Sequence, residues 1–323
     1  MESIFLGDYI QQRRKDLGLT QAQLSEGICD TTTISRMERG EQTLRHSTVT
    51  ALLERLGTSY DQYVLLSREE IEIAALQREI TAASVQFQQG EEPGRSQART
   101  QVLEKLGELE KVAKSGGIED TPVIRQYLLS VRVALRTLEG SISPEEEIAA
   151  LLEAIRITVP RFNPAKINSR PYYSLEEVRL ISHLALAYSH MGNHKKAVGI
   201  FSQLHTYVTE HNHGLAKSGG GMPLVAHNYA RELAVRKQYE DALDIAEEGR
   251  AACVRYSHYQ FLPGLLHIMA ECQHFLGNDK ESKELYDRAC RLYQEFGNDR
   301  DRSTLQKEAQ KYHIGRDSSK FAE

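Results

Sequence analysis

The feature that most constrains the fold of this chain is the spacing of its apolar residues, which recur at intervals of three and four along nearly the whole sequence. That interval is the period of an amphipathic helix. No segment alternates apolar and polar residues ahead of a hairpin turn, as a pair of strands would. Clusters of glycine and proline interrupt the pattern where helices would end. The sequence therefore predicts an all-α protein built from paired helices.

Length and composition limit the possible classes of protein. At 323 residues the chain exceeds the usual size of one domain, and its net charge of −5 excludes a protein that binds nucleic acid over its whole surface. The four cysteines include no C-x-x-C pair, so neither a zinc site nor a disulfide framework is expected. No apolar run is long enough to span a bilayer. We expect a cytoplasmic protein with no metal or other cofactor.

One N-terminal segment has the pattern of two short helices joined by a tight turn. Thr20 can cap the first helix, and Asp30 or Thr31 can cap the second. The inward positions would be Leu24 and Ile28 in the first helix and Ile34 and Met37 in the second. The outward face of the second helix would carry hydrogen-bonding side chains that suit base edges and phosphates, namely Thr31, Thr32, Thr33, Ser35 and Arg36.

This segment resembles the phage-repressor type of helix-turn-helix, whose T-Q-x-x-L and I-S-x-x-E-x-G patterns it matches across residues 20–40. Its turn, counted from Ile28 to Ile34, is one residue shorter than in the phage repressors themselves. The resemblance implies a five-helix, lambda-repressor-like DNA-binding domain over residues 1–66. It also implies the roles of six polar residues: phosphate binding by Gln21, base contacts by Thr31, Thr32 and Arg36, and backbone contacts or support by Thr33 and Ser35.

Arg36 is the leading candidate for sequence discrimination, because a guanidinium can donate two hydrogen bonds to O6 and N7 of guanine. Such a pair discriminates against a wrong base by about 1–3 kcal/mol. Glu38 and Arg39 are interpreted as structural, with Arg13 or Arg14 as the expected partner of Glu38. The alternative interpretation of the segment is a helical hairpin that only resembles the motif.

Three later segments resemble tetratricopeptide repeats, in which small residues lie where two helices cross and aromatic residues wedge between them. Their pattern residues are Leu184 to Tyr188, Gly192, Ala197 and Phe201; then Asn228 to Ala230, Tyr239, Ala242 and Ala246; then Ala270, Gly277, Ser282, Tyr286 and Ala289. A connector, residues 67–92 with a helix from Arg68 to Gln89, is expected to precede them. Residues 93–160 are interpreted as degenerate repeats.

The repeat resemblance implies a right-handed superhelix with a concave groove over residues 93–314, followed by a tail at 315–323. By the family's pattern the first helix of each pair lines the groove, with Arg179, His183, His190, His227, Asn228, Arg231, His267, Glu271 and His274. All of these except His190 and His267 are predicted peptide-binding residues. Asn228 is the strongest candidate, since an amide can donate to and accept from a peptide backbone. The alternative is that these side chains are simply solvated.

The order of the two domains, together with the short turn, resembles the Gram-positive quorum-sensing regulators of the Rgg and PlcR type. The resemblance implies a homodimer that binds palindromic operator DNA and a short signalling peptide in the groove. Two alternatives remain open: a repressor of the same architecture that needs no peptide, and a repeat scaffold for a protein partner. No phosphate-binding loop, nucleophile motif or catalytic constellation suggests an enzyme.

Overall fold

The computed structural model describes residues 6–57, 68–117, 119–167, 173–210 and 221–312. These ranges contain helices and turns and no strand, which confirms the all-α prediction. The helices are α1 Leu6–Asp16, α2 Gln21–Ser25, α3 Thr31–Glu38, α4 His46–Arg55, α5 Arg68–Gln89, α6 Gly94–Ser115, α7 Pro122–Glu139, α8 Pro144–Thr158, α9 Leu175–His190, α10 His194–Glu210, α11 Gly221–Val235, α12 Tyr239–Tyr256, α13 Leu262–Phe275, α14 Asp279–Glu295 and α15 Asp299–Lys311. None of them is long and apolar enough to cross a membrane.

Helices α1 to α4 pack around one small apolar core that includes Ile10, Leu24, Ile34 and Leu52. Thr20 caps α2 as predicted, and its hydroxyl accepts a hydrogen bond from the backbone of Gln23 at 3.1 Å. Asp30 occupies the cap position of α3 without a side-chain bond. Residues 58–67, where the predicted fifth helix and the boundary at residue 66 fall, lie outside the described residues.

One detail of the motif differs from the prediction. Helix α2 ends at Ser25, so the buried Ile28 belongs to the turn and not to the apolar face of that helix. The turn reaches α3 through Gly27, whose φ of 73° favours glycine. The compact turn therefore carries part of the core.

The predicted connector helix begins at Arg68 and ends at Gln89, as the sequence indicated. Its residues Leu76, Ile80 and Phe87 are buried against α6, which contributes Val102 and Leu109 to the same core. Helix α5 thus forms a pair with α6 along its length.

The three segments with repeat patterns form the helix pairs α9 and α10, α11 and α12, and α13 and α14. The small residues Ala197, Ala242 and Ser282 are fully buried where the helices of each pair cross. Because Ser282 is polar, its hydroxyl is satisfied by the carbonyl of Ala270 at 2.7 Å. The repeat-like architecture of this half of the chain is confirmed.

In each of the three helix pairs, one residue of the turn adopts the left-handed backbone conformation that is common just after a helix C-terminus. In two of the pairs this residue is a glycine, Gly192 or Gly277, with φ of 81° and 84°. In the middle pair the same place is taken by Lys237, with φ of 62°. The next residue closes each turn, and the amide of Gln238 donates to the carbonyl of Leu233 at 3.0 Å.

Arg55, at the end of α4, joins the N-terminal helices to the repeats. It is only 2% exposed. Its guanidinium donates to the carbonyls of Leu24 and Glu26 at 3.0 and 2.6 Å and pairs with Glu177 of α9 at 3.3 Å. The hydroxyl of Thr158 donates to the same carboxylate at 2.7 Å. This buried cluster therefore joins the C-terminal ends of α2, α4 and α8 to the first turn of α9.

The last described helix, α15, contacts the connector helix that precedes the array. The guanidinium of Arg300, on α15, donates to the carbonyl of Gln88, on α5, at 2.8 Å. Helix α15 also packs on the core of the last repeats through Leu305. The last described helix of the array is thus in contact with the connector.

Candidate nucleic-acid interface and repeat groove

The outward face of α3 presents polar side chains, as the motif predicted. Thr31, Thr32 and Arg36 are exposed, whereas Thr33 and Ser35 are half-buried. The guanidinium of Arg36 makes no hydrogen bond or ion pair with any residue that the structure describes. Thr31 lies 3.2 Å from the hydroxyl of Ser25, which orients it at the start of the helix. The face combines a free guanidinium with hydroxyl groups that suit DNA contacts.

A buried ion pair fixes the orientation of α3. Arg14 of α1 donates twice to Glu38, at 2.6 and 2.8 Å, so Arg14 and not Arg13 is the partner of Glu38. Gln21 donates to the same carboxylate at 2.8 Å. Burial alone would raise the pKa of Glu38, but the bonds from Arg14 and Gln21 more than offset it and hold that pKa below its ordinary value.

Gln21 is the predicted phosphate ligand, and the structure places it at the first position of α2 with its amide bound to Glu38. A side-chain amide has two N–H groups, so one remains for another acceptor. The bond to Glu38 also fixes the amide's direction. Gln21 therefore links the predicted phosphate contact to the ion pair under α3.

In the repeats, Asn228 has partners within the protein. It is 9% exposed, donates to the hydroxyl of Ser182 on α9 at 2.9 Å, and lies 3.0 Å from Nδ1 of His227. The bond to Ser182 joins two adjacent repeats. Together these bonds hold the amide of Asn228 in one orientation without using all its hydrogen-bonding capacity.

His227 lies against a glycine that leaves room for its ring. A Cβ on Gly264 would come within 2.5 Å of Nε2 of His227, so any larger residue at that position of α13 would require the ring to shift. Burial lowers the pKa of His227 to about 4, even though the bond with Asn228 opposes the shift; nearby Arg231 adds to it. The ring is therefore neutral at pH 7 and can donate at one nitrogen and accept at the other.

Further along the array, the predicted residues form ion pairs between neighbouring repeats. Arg231 of α11 pairs with Glu271 of α13 at 2.7 Å. His267 lies 2.5 Å from Glu308 on α15. The structure thus brings His227, Asn228, Arg231 and Glu271 together on α11 and α13.

The remaining predicted residues have other partners. His274, three residues beyond Glu271 on α13, lies 2.9 Å from Asp279 and stacks on the ring of Tyr312. Arg179 lies near the N-terminal helices and pairs with Glu176 at 3.4 Å. His183 is one turn further along α9, and burial, with Arg179 nearby, lowers its pKa to about 4.

Sequence reasoning missed Ser182, the fully buried partner of Asn228. The repeat register offered a signal: if α9 is aligned with α11 through the crossing residues Ala197 and Ala242, Ser182 takes the place of the predicted groove residue His227. Reasoning from the sequence also missed the cluster around Arg55 and Glu177, for which the only local signal is the capping pattern that Ser174 begins.

Comparisons with known proteins agree with this architecture. A helix-turn-helix family model matches residues 10–63. The structure of Bacillus thuringiensis PlcR in complex with the peptide PapR7 and DNA is 18% identical, with a TM-score of 0.56, and the match covers 93% of this chain and 98% of that one. The apo form of PlcR gives 16% identity and a TM-score of 0.54, with coverage of 94% and 98%.

The apo form of the competence regulator ComR from Streptococcus vestibularis is 16% identical, with coverage of 96% and 98% and a TM-score of 0.49. No sequence among the curated proteins matches the chain. The likeness to PlcR extends across both parts of the molecule. We conclude that residues 10–63 form a helix-turn-helix domain and that the chain as a whole has the fold of PlcR, with a helix-turn-helix domain followed by tetratricopeptide-like repeats.

Proposed function

We propose that this protein is a cytoplasmic transcription regulator that binds operator DNA as a homodimer and is switched by a short signalling peptide in the concave groove of the repeats. PlcR, which shares the fold, is known in complex with a peptide and DNA. Two-fold symmetry of a dimer would match a palindromic operator. The peptide can act only through different affinities for two arrangements of the protein.

The observation that carries the DNA-binding proposal is the outward face of α3. Arg36 and Thr32 are exposed there. The helix beneath them is held by the buried pair of Arg14 and Glu38. A rigid helix with a free guanidinium supports direct contact with base edges in the major groove.

The proposal is tested by fluorescence anisotropy with the DNA upstream of the protein's own gene and with a scrambled duplex. We expect Arg36→Ala to reduce the preference for the specific duplex by about tenfold or more, since one bidentate contact contributes about 1–3 kcal/mol of discrimination. Arg39→Ala removes the same charge from a residue that pairs with Glu41 at the end of the motif. It should retain the preference, and an unchanged preference in Arg36→Ala would contradict the proposal.

The groove residues support the peptide part of the proposal. Asn228 is oriented by Ser182 and His227, and Arg231 by Glu271. Each retains hydrogen-bonding capacity for a peptide backbone or carboxylate. The test is to add peptides encoded beside the gene to the same anisotropy assay. A peptide that binds by calorimetry without changing DNA affinity or the dimer's sedimentation would contradict the switch.

Two alternative functions retain the DNA-binding domain and differ in what the repeats bind. A peptide-independent repressor would bind its operator equally with every candidate peptide, and a scaffold would bind a protein partner in the groove. We favour the peptide because the groove cluster spans adjacent repeats with amide, imidazole and guanidinium groups, which suit an extended backbone.

A further inference from the structure

A cavity of about 240 Å³ lies between the helix-turn-helix domain and the repeats, away from both the α3 face and the groove cluster around Asn228. Its walls come from α4 on one side and from α5, α7 and α9 on the other. Ala51, Ile73, Val123 and Leu175 make much of the lining apolar. The cavity is therefore bounded by both domains, and its shape depends on how they contact each other.

One carboxyl group in this cavity has no cationic partner within the described part of the chain. The two arginines near it are paired with other residues, Arg179 with Glu176 at 3.4 Å and Arg55 with Glu177 at 3.3 Å. Glu54 of α4 receives a backbone hydrogen bond from Leu175 but makes no ion pair with a described residue. Its carboxyl group can therefore pair with a cationic group of a ligand.

A second polar group in the cavity wall is also unsatisfied. The hydroxyl oxygen of Ser47, one helical period from Ala51 on α4, is buried and has no hydrogen-bond partner among the described residues. A buried hydroxyl without a partner costs free energy, so a ligand that satisfies it gains affinity. Ser47 and Glu54 are both polar groups of α4 that line the same cavity.

We propose that this cavity is a second ligand-binding site, which takes a small apolar molecule bearing a primary ammonium group that pairs with Glu54. An ammonium ion supplies donors and no acceptor, which matches the carboxylate of Glu54. A cavity of roughly 150 Å³ accommodates benzene, so 240 Å³ suits an aromatic ring with a short arm and is too small for a peptide.

The ionisation of Glu54 agrees with this assignment. Burial, together with the neighbouring carboxylates of Glu177 and Glu176, raises the pKa of Glu54 to about 7, while Arg179 lowers it slightly. Tyr127, whose pKa burial raises, and Gln77 also line the cavity, and both are neutral over this pH range. A bound cation would favour the ionised form, so ammonium binding should strengthen as the pH rises from 6 to 8.

The test is calorimetric titration of the full chain, without peptide, at pH 8. The probes are phenethylammonium, its neutral analogue 2-phenylethanol and the anion phenylacetate. We expect phenethylammonium to bind about tenfold more tightly than the alcohol, because a hydrogen bond to a charged group contributes about 1.5–3 kcal/mol. Phenylacetate should bind most weakly.

Glu54→Gln should remove the preference for phenethylammonium and retain the affinity for the alcohol, since glutamine keeps the shape of the wall without its charge. Ala51→Leu reduces the cavity and should weaken both. Glu104→Gln, on the exposed face of α6, is the matched control and should change neither. Equal affinity for ammonium and alcohol, an unchanged preference in Glu54→Gln, or no binding of any probe would overturn the proposal.

Discussion

At the scale of single residues, the pair of Arg14 and Glu38 stabilises the motif more directly than any residue of its exposed face. Glu38 lies at the end of α3 and is 4% exposed, so its carboxylate has lost most of its water. Arg14 and Gln21 replace that water with hydrogen bonds from α1 and α2. One side chain thereby joins three helices.

We expect Glu38→Gln to weaken this part of the domain by about 3 kcal/mol at pH 7, because it leaves the guanidinium of Arg14 buried without its counter-charge. The measurement is amide hydrogen exchange of α1 and α3, which reports the local free energy of opening. Glu41→Gln is the matched control, since Glu41 and its partner Arg39 are about half exposed. That variant should stay within about 0.5 kcal/mol of the parent.

The same variant has a defined pH dependence. Because the folded pKa of Glu38 lies below its ordinary value of 4.5, the stabilisation is complete above that value and is lost as the pH falls from 4.5 through the folded pKa. The difference between the parent and Glu38→Gln should therefore be constant from pH 7 to about pH 5 and shrink as the pH falls further. A difference that stays constant below 4.5 would show that the charge of Glu38 contributes nothing.

At the scale of the helices, the sequence indicates the turns that contain glycine but not the turn in the middle pair. Gly192 and Gly277 indicate a turn because glycine adopts positive φ without strain. Lys237 takes the same conformation in the middle pair, and its residue type gives no such signal. Its place follows only from the burial of Ala242 and the register of the neighbouring repeats.

We expect Lys237→Gly to raise the free energy of unfolding by about 0.5 kcal/mol. The substitution removes the strain of a lysine with positive φ, and that gain exceeds the entropic cost of a more flexible unfolded chain. The thermal midpoint, followed by circular dichroism, measures the change. Lys280→Gly is the control, as Lys280 is an exposed residue in the first turn of α14. It should lower the midpoint, and a similar loss in Lys237→Gly would contradict the strain argument.

At the scale of the whole molecule, the helix-turn-helix domain contacts the repeats closely where Gly27 packs against the backbone of Thr158. A Cβ on Gly27 would lie 1.9 Å from the carbonyl oxygen of Thr158. Arg55 and Glu177 are buried beside that contact. The relative position of the two domains therefore depends on a backbone contact at a residue without a side chain.

We expect Gly27→Ala to separate the two domains and increase the radius of gyration measured by small-angle X-ray scattering. Gly40→Ala is a close control, because Gly40 has φ of 72° against 73° for Gly27 but has nothing within 4 Å of the added Cβ. Both variants carry the same backbone strain, and only Gly27→Ala adds a clash. Identical scattering from the two would show that the contact does not hold the domains together.

The contacts between the two domains are also the feature that the sequence does not predict. Helical period and the Gly90 to Gly94 break predict α5 from Arg68 to Gln89, because those signals are local. The motif predicts the exposure of Arg36 for the same reason. Arg55 and Glu177 are more than 100 positions apart, and a charged residue is expected at the surface, so nothing local indicates their burial. The cavity beside Glu54 depends on the same long-range contact.

The bond between Arg300 and the carbonyl of Gln88 has a consequence for how the array loses its structure. Linear repeat proteins fray from their ends, where a terminal unit has only one neighbour. Here α15, the last described helix, also contacts the connector helix α5, which pairs with α6 at the other end of the array. Loss of order in α15 should therefore be coupled to loss of order at the end of α5.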